Sequence, residues 1–547
     1  MKHFGIYLAY GPRVNMRGEG LGRHLAEFLK ASSDFNGARF LVAAPGWLRG
    51  PLNDLFEEFK IDRSRIEVIS PAQPSTIFRI YQVATFITSG RKKTKKRIDG
   101  RSRLKSLVRS ISSWAEATGI RIFRSRNPLT FSASIVGLIL AVPMAAVALV
   151  VGIMLAVGIK VSQVVMSAKP PRCVMQRTKA RAFLTSLSHG AYRLMCDIEA
   201  SAVAELASSR DDVAAWYAPA AFWPEFNSIK APRVMCVPDA VQAHHSIPFA
   251  ADGPHPERAV PDYKRLEDAI ENGDRFVTYS DDVKQRVLVN HFNVDPSRIN
   301  VVPHGTNRLD HLIKVSGFPD EDAATDALSA VHLRFAFSKA FQNATAFWYA
   351  SEHAGFLFYA SQFRPNKNVL TLLRAYEYLV TEKRLPYRLV LTGDANQAAA
   401  IKSFIYEKQL DDNVFFVRGL TEVELASCYR LATLSVNPSL AEGGMPFTFT
   451  ESVSVGTPVV MADIAVTREI LTDERVAEAT LFDPYDFRAL ARKIEVALDQ
   501  KDELLKLQTE FYHRRLIGRS YRDVVEETIA ILDAAAANRN VLAHPAN

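Results

Sequence analysis

Twice along this 547-residue chain, short apolar runs of strand length alternate with amphipathic stretches of helical period. Strands separated by helices cannot pair as hairpins; they join parallel sheets, with the crossover helices packed on the faces. The first series runs HFGIYLAY, a glycine-bearing loop RGEGLGRH, the helix LAEFLKAS, then ARFLVAAPG, PRVMCVPD, DRFVTYS and INVVPHGTN. The second restarts at GFLFYASQ and continues through VLTLLRAYEYLV, YRLVLTGD, NVFFVRGL, TLSVNPS and TPVVMAD to ALARKIEVALD. A chain this long exceeds one ordinary core, so each series is expected to form its own Rossmann-like domain. We place these at 1–310 and 351–515, joined by a linker and helical insert over 311–350 and followed by a helix over 516–537 and a tail over 538–547. Two such domains facing across a cleft bind a ligand at the carboxyl ends of their strands.

The first series is interrupted over 75–185, and the interruption has its own chemistry. Between Arg91 and Arg126 there are thirteen Lys and Arg against Asp99 and Glu116, a local +11 in a chain of net +8, which leaves −3 for the rest. From Phe131 to Ile159 no residue is charged for 29 positions, well past the roughly 18 that flag a membrane span. Both flanks are basic, and basic flanks stay on the cytoplasmic side. Two spans need more residues than are present, so the expectation is a re-entrant or kinked dip with Pro143 near the bend. The insert is expected to hold residues 91–181 against the cytoplasmic face of the inner (plasma) membrane. A nucleic-acid partner is not expected, because only Trp114 and Phe123 lie near the basic run, too few for a stacking platform. Cys173, Cys196, Cys236 and Cys428 show neither zinc nor disulfide spacing, and MKHFGIYLAYGP reads as a strand and turn rather than a signal peptide.

The chemistry concentrates in residues 441–460, AEGGMPFTFTESVSVGTPVV. Gly443 and Gly444 let backbone approach a ligand closely, and the helix that follows presents free N–H groups suited to phosphate. Glu442 and Glu451 cannot hold phosphate, but a carboxylate accepts hydrogen bonds from the vicinal hydroxyls of a sugar or ribose. Positive charge is supplied by SQFRPNKN, where Arg364 and Lys367 stand three residues apart at a strand-to-helix junction. A rigid guanidinium fork beside a mobile ammonium suits a diphosphate.

Through FYASQFRPNKNVLTLLRAY, LVLTGD, VFFVRGL, SVNPSLAEGGMPFTFTESVSVGTPVVMAD and FDPYDFRALARKI, the chain resembles the retaining glycosyltransferases of family 4 from about 356 to 497. The first half is similar more loosely, in GEGLGRHLAEFL, VMCVPDAVQAHHSIP and VVPHGTN. The resemblance implies an α/β GT-B fold: two Rossmann-like domains facing a cleft, here with a basic and hydrophobic membrane-associated insert in the N-terminal domain. It implies that Arg364 and Lys367 neutralise the donor diphosphate, that Glu442 contacts the sugar hydroxyls and that Glu451 binds the ribose. Gly443, Gly444 and Met445 would give backbone contacts to sugar and phosphate, Arg418, Gly419 and Leu420 would read the base, and Gly20 and Gly22 would form a loop closing over the diphosphate. The scheme calls for no metal and no cofactor beyond the nucleotide sugar, and the Asp320/Asp322 pair reads as a helix start. Eight residues lie between Glu442 and Glu451, one more than the family pattern. The family's His-Asp pair reads Pro238-Asp239, which leaves Asp239 as the catalytic candidate there; His244 and His245 are more simply exposed or capping. The implied activity is transfer of a hexose, with mannose the leading guess, from GDP-mannose or a UDP-sugar to a lipid-linked or polysaccharide glycan. The alternative is a catalytically weak membrane scaffold that binds nucleotide sugar in a polysaccharide assembly.

Overall fold

The structure is a computed structural model describing residues 2–82, 172–239, 241, 256–340 and 355–543, except 15, 17–19, 34, 36, 80 and 395–397. The basic run, the uncharged run and the histidine pair at 244 and 245 lie outside these residues, and so does the expected membrane dip. Among the described residues no helix is long and apolar enough to cross a membrane.

Two parallel sheets organise the chain. The first has seven strands in the order β3-β2-β1-β4-β5-β6-β7: β1 Lys2–Tyr7, β2 Ala38–Ala43, β3 Ile66–Ile69, β4 Ala215–Ala218, β5 Arg233–Cys236, β6 Arg275–Thr278 and β7 Ile299–Val301. The second has six in the order β10-β9-β8-β11-β12-β13: β8 Phe356–Tyr359, β9 Arg388–Leu391, β10 Val414–Phe416, β11 Leu434–Asn437, β12 Val459–Ala462 and β13 Leu481–Phe482. In both, the order reverses at the first strand of the series, which opens a crevice at the carboxyl ends. Every residue of β4, β8, β11 and β12 is buried, the signature of strands covered by helices on both faces. Packing across β1 and β4 is uneven by design: Gly5 is in register with Trp216, and a Cβ on Gly5 would stand 2.2 Å from the Trp216 ring.

The helix read as beginning near LAEFLKAS starts earlier, spanning Gly20–Ser33. The expected glycine loop is thus corrected to a helical first turn. Gly22 fits there because a Cβ would lie 1.9 Å from the Met16 carbonyl oxygen, so the backbone preceding the helix folds directly onto it. Asp320 accepts from the Ala323 N–H at 2.9 Å at the start of the helix Glu321–Ala340, and Asp322 pairs with Arg430 at 3.0 Å.

Among the described residues two passages between the domains, near Thr306 and near Arg519, are tied together. Thr306 N–H donates to the Arg519 carbonyl at 2.8 Å and its hydroxyl to the Leu516 carbonyl at 2.5 Å. A Cβ on Gly305 would stand 2.8 Å from the Tyr521 backbone nitrogen, so glycine permits that contact. The last helix, Tyr521–Ala543, then returns to the first domain, where Val524, Val525, Ile529, Leu532 and Ala535 join its core.

One buried side chain completes the second sheet where β13 is too short to do so. Gln508 accepts from Val459 N–H at 3.0 Å and donates to the Val459 carbonyl at 2.6 Å and to the Thr480 hydroxyl at 2.9 Å. Replacing it with leucine strands these groups without water, at a cost of about 2–4 kcal/mol. Gln508→Leu is expected to lower the melting temperature in a thermal scan, and an unchanged melt refutes this role.

Candidate active site

Five loops at the carboxyl ends of the strands, after β5, β6, β7, β8 and β11, build the site. After β8, Arg364 leads into a single 3-10 turn, Pro365–Lys367, which ends at Asn368 in the left-handed region at φ 52°, a conformation that asparagine tolerates. The turn is pinned to the loop after β11: Leu440 N–H donates to the Asn366 carbonyl at 2.8 Å, and the Asn366 side chain donates to the Ala441 carbonyl at 3.2 Å. Buried Tyr359 and Ser439 hydroxyls bond at 3.1 Å beneath. These bonds bring Lys367 beside Glu442, with Nζ donating to Oε1 at 2.5 Å. Burial alone would lower the Lys367 ammonium, but the Glu442 carboxylate outweighs it and holds the pKa above its usual range.

The two domains touch at the glycine pair. A Cβ on Gly443 would fall 1.6 Å from the Pro238 carbonyl oxygen and 3.1 Å from Asp239 Cβ, and one on Gly444 would lie 2.9 Å from Tyr279 Cβ and 3.0 Å from the His304 ring. The Ser280 hydroxyl, just past β6, donates to the Gly443 carbonyl at 2.8 Å. Asp239, from the loop after β5, thereby faces the second domain's charges. Burial pushes its carboxyl up, against the pull of Arg364 and Lys367. Met445 is buried with Phe449 and Phe511 and anchors the turn.

Glu451 lies inside the helix Phe447–Ser454, 3% exposed. Its Oε1 accepts from Asn307 Nδ2 at 2.5 Å, in the loop after β7, and from Arg23 Nη2 at 3.0 Å, in the helix Gly20–Ser33. Arg23 also stands 4.0 Å from Glu422. Burial would lower the Arg23 guanidinium; Glu451 and Glu422 outweigh it and raise its pKa.

Of the residues singled out by sequence, the structure brings together Lys367, Glu442, Asp239, Gly443, Gly444 and Met445, with Arg364 close enough to act on Asp239. Arg364 itself is exposed and donates to the Gln362 side chain at 3.1 Å. Arg418 pairs instead with Asp394 at 2.8 Å, beside Gly419, whose φ of +62° and open surroundings leave backbone accessible, and half-buried Leu420. Sequence reading passed over Arg23, Asn307, Ser280 and His304, although all four lie in segments already quoted. His304 packs against Phe447 with ring centroids 4.6 Å apart and planes tilted by 56°, and donates from Nδ1 to the Gly305 carbonyl at 3.2 Å. No group of three or more His, Cys, Asp or Glu side chains gathers as for a metal ion among the described residues.

Known proteins share this architecture. The structure of Anabaena Alr3699/HepE in complex with UDP-glucose superposes with a TM-score of 0.54 at 11% identity, covering 98% of this chain and 100% of that one. The N-terminal domain of Candida albicans trehalose-6-phosphate phosphatase gives 0.52 at 11% identity, covering 98% and 97%. The fold is GT-B. Residues 346–514 match the family model described as "Glycosyl transferases group 1", which takes in all of β8 to β13. The O-antigen chain mannosyltransferase B of Escherichia coli is 28% identical over 157 residues, 28% of this chain and 39% of that protein. The MMP alpha-(1->4)-mannosyltransferase of Mycolicibacterium hassiacum is 29% identical over 173 residues, 32% of this chain and 41% of that protein. The chain thus spans less than half the length of these relatives.

Two predictions follow from the geometry at the domain contact. Gly443→Ala has no room for its methyl group beside Pro238, so it should part the domains and weaken any ligand held between them; retained ligand affinity refutes this. The second concerns His24, buried between Tyr279 and Tyr521 at centroid distances of 5.1 and 5.4 Å, with no hydrogen-bond partner for Nδ1. Burial, aided by His304, lowers its pKa from 6.5 to about 3. The unfolded chain therefore takes up a proton below 6.5 that the folded one refuses, and stability falls on acidification by roughly 1.4 kcal/mol per pH unit. His24→Phe should flatten the loss of melting temperature between pH 7 and pH 5, and an equally steep loss refutes the assignment.

Proposed function

We propose that the protein is a retaining glycosyltransferase that moves a hexose from a nucleotide sugar to a lipid-linked or polysaccharide acceptor at the cytoplasmic face of the membrane. The observation that carries this reading is the meeting of Lys367, Glu442 and the Gly443-Gly444 turn with Asp239 between the carboxyl ends of two parallel sheets. The family match over the second domain supports the same assignment.

In this reading Arg364 and Lys367 face the donor diphosphate and Glu451 the ribose. The Lys367–Glu442 pair keeps the ammonium aimed into the cleft, and the carboxylate is placed to accept a sugar hydroxyl. The acceptor oxygen bonds to the anomeric carbon on the face from which the diphosphate leaves, and its proton passes to a diphosphate oxygen. The protein's main task is then stabilisation of the departing charge by preorganised cations and helix-end N–H groups. Asp239, on the acceptor domain beside the turn, positions the incoming hydroxyl. No metal enters the scheme.

Mannose is the sugar we propose, from GDP-mannose, because the matched relatives are mannosyltransferases; a UDP-sugar is the competing donor. The +11 segment and the 29-residue uncharged run favour an acceptor carried on a lipid. The one extra residue between Glu442 and Glu451 favours a second reading, a scaffold that binds nucleotide sugar without transfer.

One experiment separates them: thermal-shift binding of a sugar-nucleotide panel to detergent-purified protein, followed by nucleotide release on addition of a lipid-linked glycan extract. Transfer predicts binding of one donor and release that needs the lipid fraction. Arg364→Ala should cut the release rate by about 100-fold, and Glu451→Ala should weaken donor binding by about tenfold. Binding without release leaves the scaffold; no binding refutes both readings.

A further inference from the structure

Arg23 is the one cation that reaches Glu451 from the opposite domain, among the described residues, and it does so in an acidic setting. The crevice at this point is lined by Arg23, Glu27, Asn307, Glu422, Phe447 and Tyr521, so three carboxylates, Glu27, Glu422 and Glu451, surround a single guanidinium. Such a wall repels a phosphate unless Arg23 offsets it.

The bond count on Glu451 is equally constraining. Oε1 already accepts from both Arg23 and Asn307, and a carboxylate oxygen has about two lone-pair sites. A ribose presents two vicinal hydroxyls and bonds a carboxylate best through both oxygens. The second hydroxyl therefore meets an oxygen whose sites are filled, and of the two partners Arg23 is the one with another carboxylate to turn to, Glu422 at 4.0 Å. The Arg23 side chain is 20% exposed and stands one turn from the start of the helix Gly20–Ser33.

We propose that Arg23 sets the preference of the site for a nucleoside diphosphate over a nucleoside: it competes with ribose for Glu451, and on yielding turns its charge to the diphosphate. A nucleoside displaces the guanidinium and offers it nothing in exchange. A nucleoside diphosphate displaces it and supplies a stronger anionic partner. Arg23 is in this sense a specificity-determining residue contributed by the acceptor domain, and its movement couples the two domains to the phosphate content of the ligand. The inference rests on the donor reading given above.

The test is calorimetric titration of the full chain in detergent with uridine, UDP, guanosine and GDP, for the wild type, Arg23→Gln and Arg23→Lys. Glutamine keeps a donor for the buried Glu451 carboxylate and removes the charge, and a thermal melt of each variant checks that it is folded. Arg23→Gln should bind the nucleoside as tightly as the wild type or several-fold tighter, while the diphosphate weakens about tenfold or more. Arg23→Lys should fall between. If Arg23→Gln weakens nucleoside and diphosphate in equal proportion, or leaves both unchanged, Arg23 is only a brace between domains and the inference is wrong. A wild type that binds none of the four probes overturns the donor reading, and the role of Arg23 with it.

Discussion

Backbone meets backbone where the two domains touch, and the rest of the cleft is arranged around that contact. Pro238 and Gly443 come closer than a Cβ permits, so the loops after β5 and β11 define the separation of the two sheets without an intervening side chain. Near this contact the charges fall into two groups, Lys367 and Glu442 with Asp239, and Arg23 with Glu422 and Glu451. The Ser280 bond to the Gly443 carbonyl satisfies an acceptor that such a close approach draws out of water.

Opposite charges at the site are matched before any ligand is considered. Lys367 is held by Glu442, Arg23 by Glu451 and Glu422, and Arg418 by Asp394. Buried charges without partners are costly, and the carboxylates of this site hold its cations in place. The same carboxylates are the natural acceptors for hydroxyl groups. One set of residues thus answers both the folding requirement and the chemistry.

Much of this was open to a reader of the sequence, for physical reasons. Strands buried on both faces leave uninterrupted apolar runs such as FLFY and VVMA, whereas β3, IEVI, carries a charged residue, and β13, two residues long, leaves no periodicity to detect. Gly443-Gly444 signalled close approach because few other features call for two adjacent glycines, but nothing in the chain says that the approaching group is Pro238. Lys367 and Glu442 were each legible as polar residues at strand ends. Their pairing was not, because the two lie 75 positions apart and their local sequences carry no trace of each other. Arg23 and Asn307 were hidden for the same reason. The early start of the helix at Gly20 was obscured by glycines, which weaken helical propensity, although Gly22 is needed here for the contact with Met16.

The returning C-terminal helix has a consequence for biosynthesis. Val524, Val525, Ile529, Leu532 and Ala535 belong to the core of the first domain, yet a ribosome releases them only after the whole second domain has emerged. The first domain therefore waits, with an apolar face uncovered against β4 and β5, for the duration of more than 200 residues of translation. Domains that fold vectorially as they leave the ribosome escape such a delay; this one closes its core only after the helix that follows the second domain has emerged.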